Sequence, residues 1–443
     1  NSLFTQTNFN IFLDPRWGRG QEVPGEDPYL NTAYARSWIA GVQAPKGPEG
    51  VPLAGTSCKH FTAYSLEGAG GWPNLAPDSN RHNFDAAVTK QDLADTHFPM
   101  YRGCAASDAM GMMTAYNLVN GVPMCANGPF TNKLARDTWG FKGTVVTDCG
   151  AVTDLYKSNG YENGTAAAWA ALRGGTDIEC GNTIKENAQP EMEHLLRQAV
   201  ERSFTLRMRT GEFDRRGQVP TDVPYDKASH SKLAYRAAVQ GAVLLKNAGG
   251  ALPLSLGSTV ALGGPMKDAT WEALGNYAPV LHTNDWPDSP NVLSPLQAMK
   301  QCGLGDNLIV LPGGPSVCSE TGNIAPGFLD FPGKPAADAV VIVAGLYCQD
   351  PEVMDVDKRP ETSGKCQSGC LESEGCDRPN LQLPSGQRAL IRRAATWGIP
   401  VILVVIAGGP LDLSEFAHND AVKAILWMGY PGQTVGTAMA RML

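Results

Sequence analysis

Two stretches of this sequence contain acidic residues at positions suited to catalysis. The first contains Asp148. Asp148 follows Thr144–Thr147. The β-branched residues of this segment, with Gly143 and Gly150 on either side, predict a short buried strand. In a (β/α) barrel, catalytic side chains collect at the carboxyl ends of the strands. The structural alternative is a helix cap, because Asp is also favoured at the amino end of a helix.

The second acidic stretch, Glu372–Arg378, contains the pair Glu372 and Glu374. It ends a loop that begins after a predicted strand and holds four cysteines between Cys348 and Cys376. Loops at strand carboxyl ends are the usual ligand side of open α/β sheets. Acidic runs are more often solvated surface, but disulfides would fix this loop and hold a catalytic residue in place. The cysteine spacing matches no common zinc pattern.

Paired carboxylates held across a pocket are the groups that glycoside hydrolysis needs. One attacks the anomeric carbon or activates water, and the other protonates the leaving oxygen; retention of configuration requires a separation of about 5–5.5 Å. The side chains available to bind sugar hydroxyls or to present a ring face are Arg19, Lys59, His60 and Tyr116. The alternative for Arg19 is an ion pair with Glu22 or Glu26, and a histidine at a strand end is often purely structural.

The chain has 443 residues, which is too many for one core and enough for two domains. Its composition, 43% hydrophobic and 18% charged, is that of a globular protein. The net charge is −8 and no long run of Lys or Arg occurs, so no nucleic-acid partner is expected. The longest apolar run, Val401 to Ala407, is too short to cross a bilayer, so no membrane insertion is expected.

Eleven cysteines predict disulfides and an oxidising compartment, and their odd number leaves at least one thiol unpaired within this chain. Asn163-Gly164-Thr165 is an N-glycosylation acceptor, which agrees with secretion. The sequence begins and ends abruptly at Asn1 and Leu443, so we expect a piece of a longer secreted chain whose signal peptide lies outside it. Nothing in the sequence indicates an oligomeric state.

Strand-like and helix-like segments alternate over residues 1–210, which predicts a mostly parallel sheet with functional groups at strand carboxyl ends. The predicted strands are Phe9–Leu13, Pro52–Cys58, Gly111–Tyr116, Thr144–Thr147 and Thr176–Glu179. The predicted helices are Asp27–Gln43, Gln91–Cys104 and Gly164–Arg173. A complete (β/α)8-type barrel needs roughly 250 residues. Because only about five strands are found, we expect an α/β barrel that is incomplete at its amino end.

Residues 211–234 are mostly polar and broken by Pro and Gly, which predicts a linker. From about Tyr235 the pattern becomes helical, and residues 235–443 then predict a second α/β domain with a mostly parallel sheet, incomplete at its carboxyl end. Its predicted strands are Thr259–Leu262, Leu308–Leu311, Ala339–Ala344, Val401–Ile406 and Ala424–Met428, with a helix at Ser385–Trp397.

Seven motifs, in the same order along nearly the whole chain, strongly resemble glycoside hydrolase family 3. They are Phe12–Pro28 (FLDPRWGRGQEVPGEDP), Cys58–Phe61 (CKHF), Ala115–Gly121 (AYNLVNG), Val145–Cys149 (VVTDC), Leu244–Asn247 (LLKN), Glu374–Arg378 (EGCDR) and Tyr430–Gly432 (YPG). The resemblance implies a (β/α) barrel followed by an α/β sandwich, with the active site at their interface. It also implies a glycoside or oligosaccharide substrate, and neither a metal nor an organic cofactor is expected.

The resemblance gives each candidate residue a role. It implies that Asp148 is the nucleophile of a retaining, exo-acting β-glycosidase, and that Glu374 of the second domain is the general acid/base. Glu372 is the alternative acid/base, because related β-xylosidases carry a Glu-x-Glu pair at this place. The residues that line the pocket for the terminal sugar are, by the same resemblance, Arg19, Lys59, His60 and Tyr116.

The residue that follows the proposed nucleophile in the sequence indicates which sugar the enzyme prefers. β-Glucosidases of the family usually have Trp there, whereas this chain has Cys149, as β-xylosidase-like members do. Asp177–Gly181 (DIECG) resembles the segment that supplies its partner, which implies a Cys149–Cys180 disulfide. We therefore expect release of terminal β-D-xylosyl residues from xylo-oligosaccharides. The alternatives are a β-glucosidase, a mixed α-L-arabinofuranosidase/β-xylosidase, or a truncated, inactive sugar-binding relative.

Overall fold

The computed structural model describes residues 4–44, 50–52, 54–68, 79–214, 227–275, 277, 292–304, 307–312, 317, 334–347 and 372–443. The chain divides into two compact units. The first unit comprises Asn1–Asp14, Glu22–Leu66 and Pro73–Val223, and the second comprises Pro15–Gln21, Glu67–Trp72 and Pro224–Leu443. The second unit therefore includes two short segments that come from the first sixth of the sequence.

The first unit is built on a sheet of four parallel strands whose order in the sheet follows their order in the chain. The strands are β1 (Phe4–Asn8), β2 (Gly55–Phe61), β3 (Gly111–Thr114) and β4 (Thr144–Thr147). Every residue of β2, β3 and β4 is buried, as expected for a parallel sheet covered on both faces. Because the strands are parallel, their carboxyl ends meet at one edge.

Two of the predicted strands do not form in the structure. Phe9–Leu13 is not a strand, since the strand is the preceding Phe4–Asn8. The Phe9 N–H still donates to the carbonyl of Lys59 on β2 (2.7 Å), and Ile11 is buried. Thr176–Glu179 is not a strand either, because Ile178 makes only an isolated bridge to Val146. Burial and periodicity mark apolar segments, but they do not show which backbone is hydrogen-bonded into the sheet.

Helices separate the strands of the first unit. They are Pro28–Val42, Lys90–Asp92, Pro99–Ala106, Ala151–Lys157, Gly164–Arg173, Thr183–Asn187 and Glu193–Arg209, with π-helical turns at Leu93–His97 and Pro129–Thr138. A small sheet is formed by Asp85–Ala86, Leu118–Val119 and Val122–Pro123. The predicted helix Gln91–Cys104 is interrupted before Pro99, which cannot donate a helical hydrogen bond.

The second unit is built on a six-stranded sheet. Its strands are β5 (Val243–Asn247), β6 (Val260–Gly263), β7 (Leu308–Val310), β8 (Ala339–Gly345), β9 (Val401–Ile406) and β10 (Val422–Trp427). Their order is β7-β6-β8-β9-β10-β5, and only the edge strand β5 runs antiparallel. Alternate residues of β8 enter two different cores, since Val341 and Val343 pack on one face and Val340 and Ile342 on the other.

The helices of the second unit cover these two faces. They are Lys227–Gly241, Pro295–Met299, Ser385–Ala395, Ser414–Ala417 and Val435–Met442, with a π-helical turn at Lys300–Leu304. Short 3₁₀ turns of the two units lie at Gly20–Glu22, Met124–Ala126, Pro190–Met192, Ala248–Gly250, Trp271–Ala273 and Gly432–Thr434. None of the helices in the described part of the chain has both the length and the apolar character that crossing a bilayer requires.

The α/β class, with a mostly parallel sheet in the second unit, is confirmed. The predicted linker 211–234 needs correction at its end, because residues 227–234 belong to the helix Lys227–Gly241. Residues 215–226 lie outside the described residues. The domain limits 1–210 and 235–443 stay a proposal.

Candidate active site

Asp148 lies at the carboxyl end of β4, in the first unit. Its backbone N–H donates to the carbonyl of Thr114 on the neighbouring strand (3.1 Å), so the residue continues the sheet. The side chain is nearly buried; Oδ1 accepts the backbone N–H of Cys149 (2.8 Å), and Oδ2 lies 3.3 Å from Nε2 of His60. The following helix has Gly150 at its cap position and no capping side chain. Asp148 is therefore not a helix cap.

His60, at the end of β2, is held from several sides. Its backbone N–H donates to Asn10 Oδ1 (2.9 Å), and Nδ1 lies 3.1 Å from the same oxygen. Its carbonyl accepts Asn10 Nδ2 (2.8 Å) and the hydroxyl of Tyr101 (2.6 Å). Both ring nitrogens thus face oxygen acceptors, which suits a ring that donates to Asp148. Lys59, the preceding residue of β2, is also buried.

Aromatic and cationic side chains surround Tyr116 in the same unit. The Tyr116 hydroxyl donates to the carbonyl of Cys149 (2.9 Å), and its ring meets Tyr64 edge-on with centroids 6.2 Å apart. The buried guanidinium of Arg81 lies 5.0 Å from the Tyr116 ring centroid, and the His82 ring lies 4.7 Å away. Sequence reasoning identified Tyr116 but missed Arg81 and His82, because no local motif distinguishes them from surface polar residues.

A disulfide joins Cys149 to Cys180, the pair that the family resemblance implies. Two hydrogen bonds reinforce it: Gly150 N–H donates to the Cys180 carbonyl (2.8 Å), and Cys180 N–H donates to the side-chain Oγ1 of Thr147 (3.1 Å). The residue after Asp148 is thereby fixed to the segment around Cys180.

A buried carboxylate, Asp177, fixes the beginning of β4, the strand that Asp148 follows. It accepts Val145 N–H (2.8 Å) and pairs with the guanidinium groups of Arg136 (2.6 Å) and Arg202 (3.0 Å). Burial raises the pKa of Asp177, and the two arginines and the Val145 N–H oppose that rise. The strand that carries Asp148 is therefore anchored by a network with little exposure to solvent.

We expect Asp177→Asn to lower the free energy of unfolding by about 3 kcal/mol or more, because it leaves the largely buried Arg136 without its counter-charge. Urea denaturation followed by circular dichroism measures this loss. The matched control is Asp137→Asn, which removes an exposed i,i+4 ion pair with Lys133 and should cost less than about 1 kcal/mol. Equal losses in the two variants would contradict the anchoring role.

Glu374 lies in the second unit. Its side chain is 28% exposed, so it is open to solvent on one side. Oε1 lies 3.5 Å from Nη1 of the buried Arg19, and Oε2 accepts the hydroxyl of Tyr277. The Arg19 guanidinium also lies 5.9 Å from the Tyr277 ring centroid. Arg19 is thus an ion-pair partner of Glu374, and the sequence had offered Glu22 and Glu26 as its partners.

Glu372 has the opposite environment, because its side chain is only 2% exposed and is surrounded by donors. It accepts the backbone N–H groups of Gly408 and Gly409 and the hydroxyl of Tyr430 (2.6 Å), and Arg378 Nε lies 3.6 Å away. The buried guanidinium of Arg378 therefore forms an ion pair with Glu372.

The remaining predictions concern the cysteines, Asn163 and metal binding. The cysteine-rich segment 348–371 lies outside the described residues, although Cys376 is disulfide-bonded. A second disulfide of the first unit joins Cys58 to Cys104. Asn163 is exposed and its Oδ1 caps the helix Gly164–Arg173 by accepting Ala166 N–H (3.0 Å). Among the described residues, no group of three or more His, Cys, Asp or Glu side chains is arranged to hold a metal ion.

Comparison with known protein families shows that two regions of the chain match domains of one family. Residues 9–205 match the glycosyl hydrolase family 3 N-terminal domain, and residues 242–443 match the glycosyl hydrolase family 3 C-terminal domain. The chain belongs to glycosyl hydrolase family 3. The carboxylates Asp148 and Glu374 lie one in each matched region.

Similar proteins agree with this assignment. The chain is 34% identical to "Probable beta-D-xylosidase 7" of Arabidopsis thaliana over 99% of its own length and 55% of the relative. It is 34% identical to "Beta-xylosidase/alpha-L-arabinofuranosidase 1" of Medicago sativa subsp. varia, covering 98% and 53%. A solved GH3 exo-beta-xylosidase (XlnD), in complex with a xylobiose aziridine probe, superposes with a TM-score of 0.81 at 30% identity, covering 99% and 53%. The chain thus spans about half the length of these relatives.

Proposed function

We propose that the protein carrying this sequence is a retaining, exo-acting β-glycosidase that releases terminal β-D-xylosyl residues from xylo-oligosaccharides. The observation that carries the proposal is the setting of Asp148, a carboxylate at the carboxyl end of a parallel strand. Its Oδ1 is held by the Cys149 N–H, and its Oδ2 faces His60. A carboxylate that is oriented by donors, rather than engaged as a helix cap, is suited to nucleophilic attack.

The proposed reaction has two steps. Asp148 attacks the anomeric carbon while the protonated Glu374 gives its proton to the leaving oxygen, and a glycosyl ester on Asp148 results. Glu374, now ionised, then takes a proton from water as that water attacks the anomeric carbon, and Asp148 is released with overall retention. The chemistry uses only these two carboxyl groups, and the proposal requires neither a metal nor an organic cofactor.

The assignment of Glu374 rather than Glu372 as acid/base is supported by their surroundings. A general acid/base exchanges its proton with water and substrate, which requires an accessible carboxyl group. Glu374 has this access, whereas Glu372 is enclosed by two backbone N–H groups, Tyr430 and Arg378. We propose Arg19, Lys59, His60 and Tyr116 as the residues that bind the terminal sugar.

The preference for xylose is supported by two findings. The relatives reported above carry β-xylosidase in their names. In addition, Cys149 occupies the place after the nucleophile and is bonded to Cys180, so no indole ring stands at this position. The Medicago relative is named for both activities, so a mixed arabinofuranosidase/xylosidase is the second candidate function.

A panel of aryl glycosides tests this proposal in the natural chain that carries the sequence. We expect kcat/KM to be at least about tenfold higher for 4-nitrophenyl β-D-xyloside than for the β-D-glucoside, a difference of about 1.4 kcal/mol in transition-state binding. Proton NMR of the first product should show β-xylose. A preference for the glucoside would replace the xylosidase proposal with a β-glucosidase, and an α-configured first product would exclude retention. Binding of xylo-oligosaccharide without turnover would indicate an inactive relative.

We also infer that the protein is secreted and N-glycosylated at Asn163. Two disulfides, Cys58–Cys104 and Cys149–Cys180, support an oxidising compartment. The exposed Asn163 lies at a helix start, where its Nδ2 is the attachment atom and its Oδ1 serves as the cap.

A further inference from the structure

A completely buried carboxylate, Glu67, contacts the turn that carries Glu374. Its Oε2 accepts the backbone N–H of Gly375 (2.9 Å), and its Oε1 accepts the indole N–H of Trp17 (2.8 Å). Glu67, Trp17 and Gly375 all belong to the second unit, although more than 300 positions separate Glu67 from Gly375 along the chain. A buried carboxylate has a high desolvation cost, so its two donors need to be well placed.

The contacted turn has a specific geometry. Ser373 and Cys376 exchange backbone hydrogen bonds (3.3 and 3.0 Å), which places Glu374 and Gly375 at the two central positions. Gly375 has a φ of 77°, a conformation that side chains other than glycine rarely adopt. The peptide between Glu374 and Gly375 is the one whose orientation distinguishes turn types, and its N–H is the group that Glu67 binds.

A second buried carboxylate holds the segments from which Glu67 and Trp17 come. Asp377 accepts the backbone N–H of Gly18 (2.9 Å) and those of Glu67 and Gly68 (2.8 Å each). The segments are in tight contact, since a Cβ built on Gly18 would come within 1.9 Å of the Cys376 carbonyl oxygen. Glu67 and the turn are therefore fixed against each other by backbone contacts, and Glu67 has little freedom to relax away.

We propose that Glu67 is a positioning residue for the acid/base, an inference that rests on the proposed function of Glu374. The Glu67 carboxylate fixes the plane of the Glu374–Gly375 peptide and thereby directs the Glu374 side chain. We assign Glu67 no part in proton transfer, because it is completely buried. The motif around Glu374 is thus completed by a residue far away in the sequence.

The test is the leaving-group dependence of Glu67→Gln. An amide has one acceptor oxygen, so either Gly375 N–H or Trp17 N–H faces the amide NH₂ group, and this clash displaces the buried side chain from the turn in both orientations. A displaced general acid slows only those reactions that need a proton. We expect kcat/KM for a phenyl β-xyloside, a poor leaving group, to fall by about 10²-fold. The leaving group of a 2,4-dinitrophenyl β-xyloside needs no protonation, so kcat/KM for this substrate should change by less than about threefold.

The double variant Trp17→Phe/Glu67→Gln provides a rescue that a merely structural role does not predict. Without the indole N–H, the amide oxygen is free to accept Gly375 N–H and its NH₂ group no longer faces a donor. We expect kcat/KM for the phenyl xyloside to be at least about tenfold higher in the double variant than in Glu67→Gln. The effects of substitutions at residues in contact are not additive. If Glu67→Gln does not fold, Glu67→Asp, whose shorter carboxylate cannot reach both donors, replaces it with the same expected substrate dependence.

The control is Asp338→Asn, which alters an exposed carboxylate that accepts Thr259 N–H (2.8 Å) in the same unit and should leave both activities unchanged. Equal losses on both substrates in the Glu67 variants, or no loss, would overturn the positioning role. Failure of the proposed function has a different signature: Glu374→Ala itself would then show no leaving-group dependence.

Discussion

Replacement of Asp148 by alanine is expected to reduce kcat by about 10⁴-fold or more, with the protein still folded. Loss of the attacking group removes the covalent step, and nucleophile deletions in enzymes of this kind of mechanism have effects of that size or larger. The direct measurement is trapping: a 2-deoxy-2-fluoro-β-xyloside with a dinitrophenolate leaving group should attach one fluoroxylosyl group to the wild-type protein. Peptide mass spectrometry should find it on the segment that contains Asp148.

Azide provides a sharper form of the same prediction. In Asp148→Ala the small anion can enter the vacated space and attack the anomeric carbon once, so the product should be the α-xylosyl azide. Asp137→Ala, which removes an exposed ion pair in the first unit, serves as the control and should retain full activity. A label on another carboxylate, or an Asp148→Ala protein that turns over normally, would refute the assignment.

Much of the fold was predictable because the strands and helices involved have strong local signals. The bounds of Thr144–Thr147 and Val401–Ile406 agree with the structure, since both are β-branched runs that are wholly buried. Gly164–Arg173 also agrees, because Asn163 caps its start and a pair of glycines follows its end. Phe9–Leu13 was wrong for the opposite reason: its apolar residues mark a buried stretch at Phe9 and Ile11, whereas the true strand, Phe4–Asn8, is largely polar.

The site was only partly predictable, because local sequence identifies chemical groups but not their distant partners. The motif around Asp148 gives a carboxylate at a strand end, and the contact with His60 follows from two strand ends meeting at one sheet edge. The pairing of Arg19 with Glu374 joins residues 355 positions apart, and the nearer acids Glu22 and Glu26 offered a simpler partner. Glu67 gave no signal at all, since its role depends on a backbone N–H of the turn after Glu374.

Two glutamates that one sequence cannot separate become distinguishable once their hydrogen bonds are known. Glu372 is enclosed by the donors Gly408, Gly409 and Tyr430, whereas Glu374 is partly open to solvent beside Arg19 and Tyr277. Removing Glu372 therefore leaves the buried Arg378 uncompensated, a structural loss of about 3–5 kcal/mol in the free energy of unfolding. Removing Glu374 also takes a carboxylate from the buried Arg19, but the Glu374 side chain is 28% exposed and water can take its place, so we expect a smaller loss of stability than for Glu372.

Glu374→Ala is accordingly expected to remain folded and to lose about 10²- to 10⁴-fold in kcat/KM on substrates with poor leaving groups, the range that a general acid contributes. With dinitrophenyl xyloside, formation of the glycosyl-enzyme should be nearly unaffected, and its breakdown should become limiting because no base activates water. Added azide attacks that intermediate without needing a base, so kcat should rise with azide concentration and the product should be β-xylosyl azide. This configuration is opposite to that expected from Asp148→Ala.

The same experiment on Glu372→Ala decides between the two residues. We expect this variant to unfold at lower urea concentration than Glu374→Ala, and any activity that it retains should not respond to azide. Both substrates should be affected equally, because a loosened loop impairs every step alike. If azide instead restores Glu372→Ala and leaves Glu374→Ala unchanged, the acid/base role passes to Glu372, and its enclosure by Gly408, Gly409 and Tyr430 would have to open during catalysis.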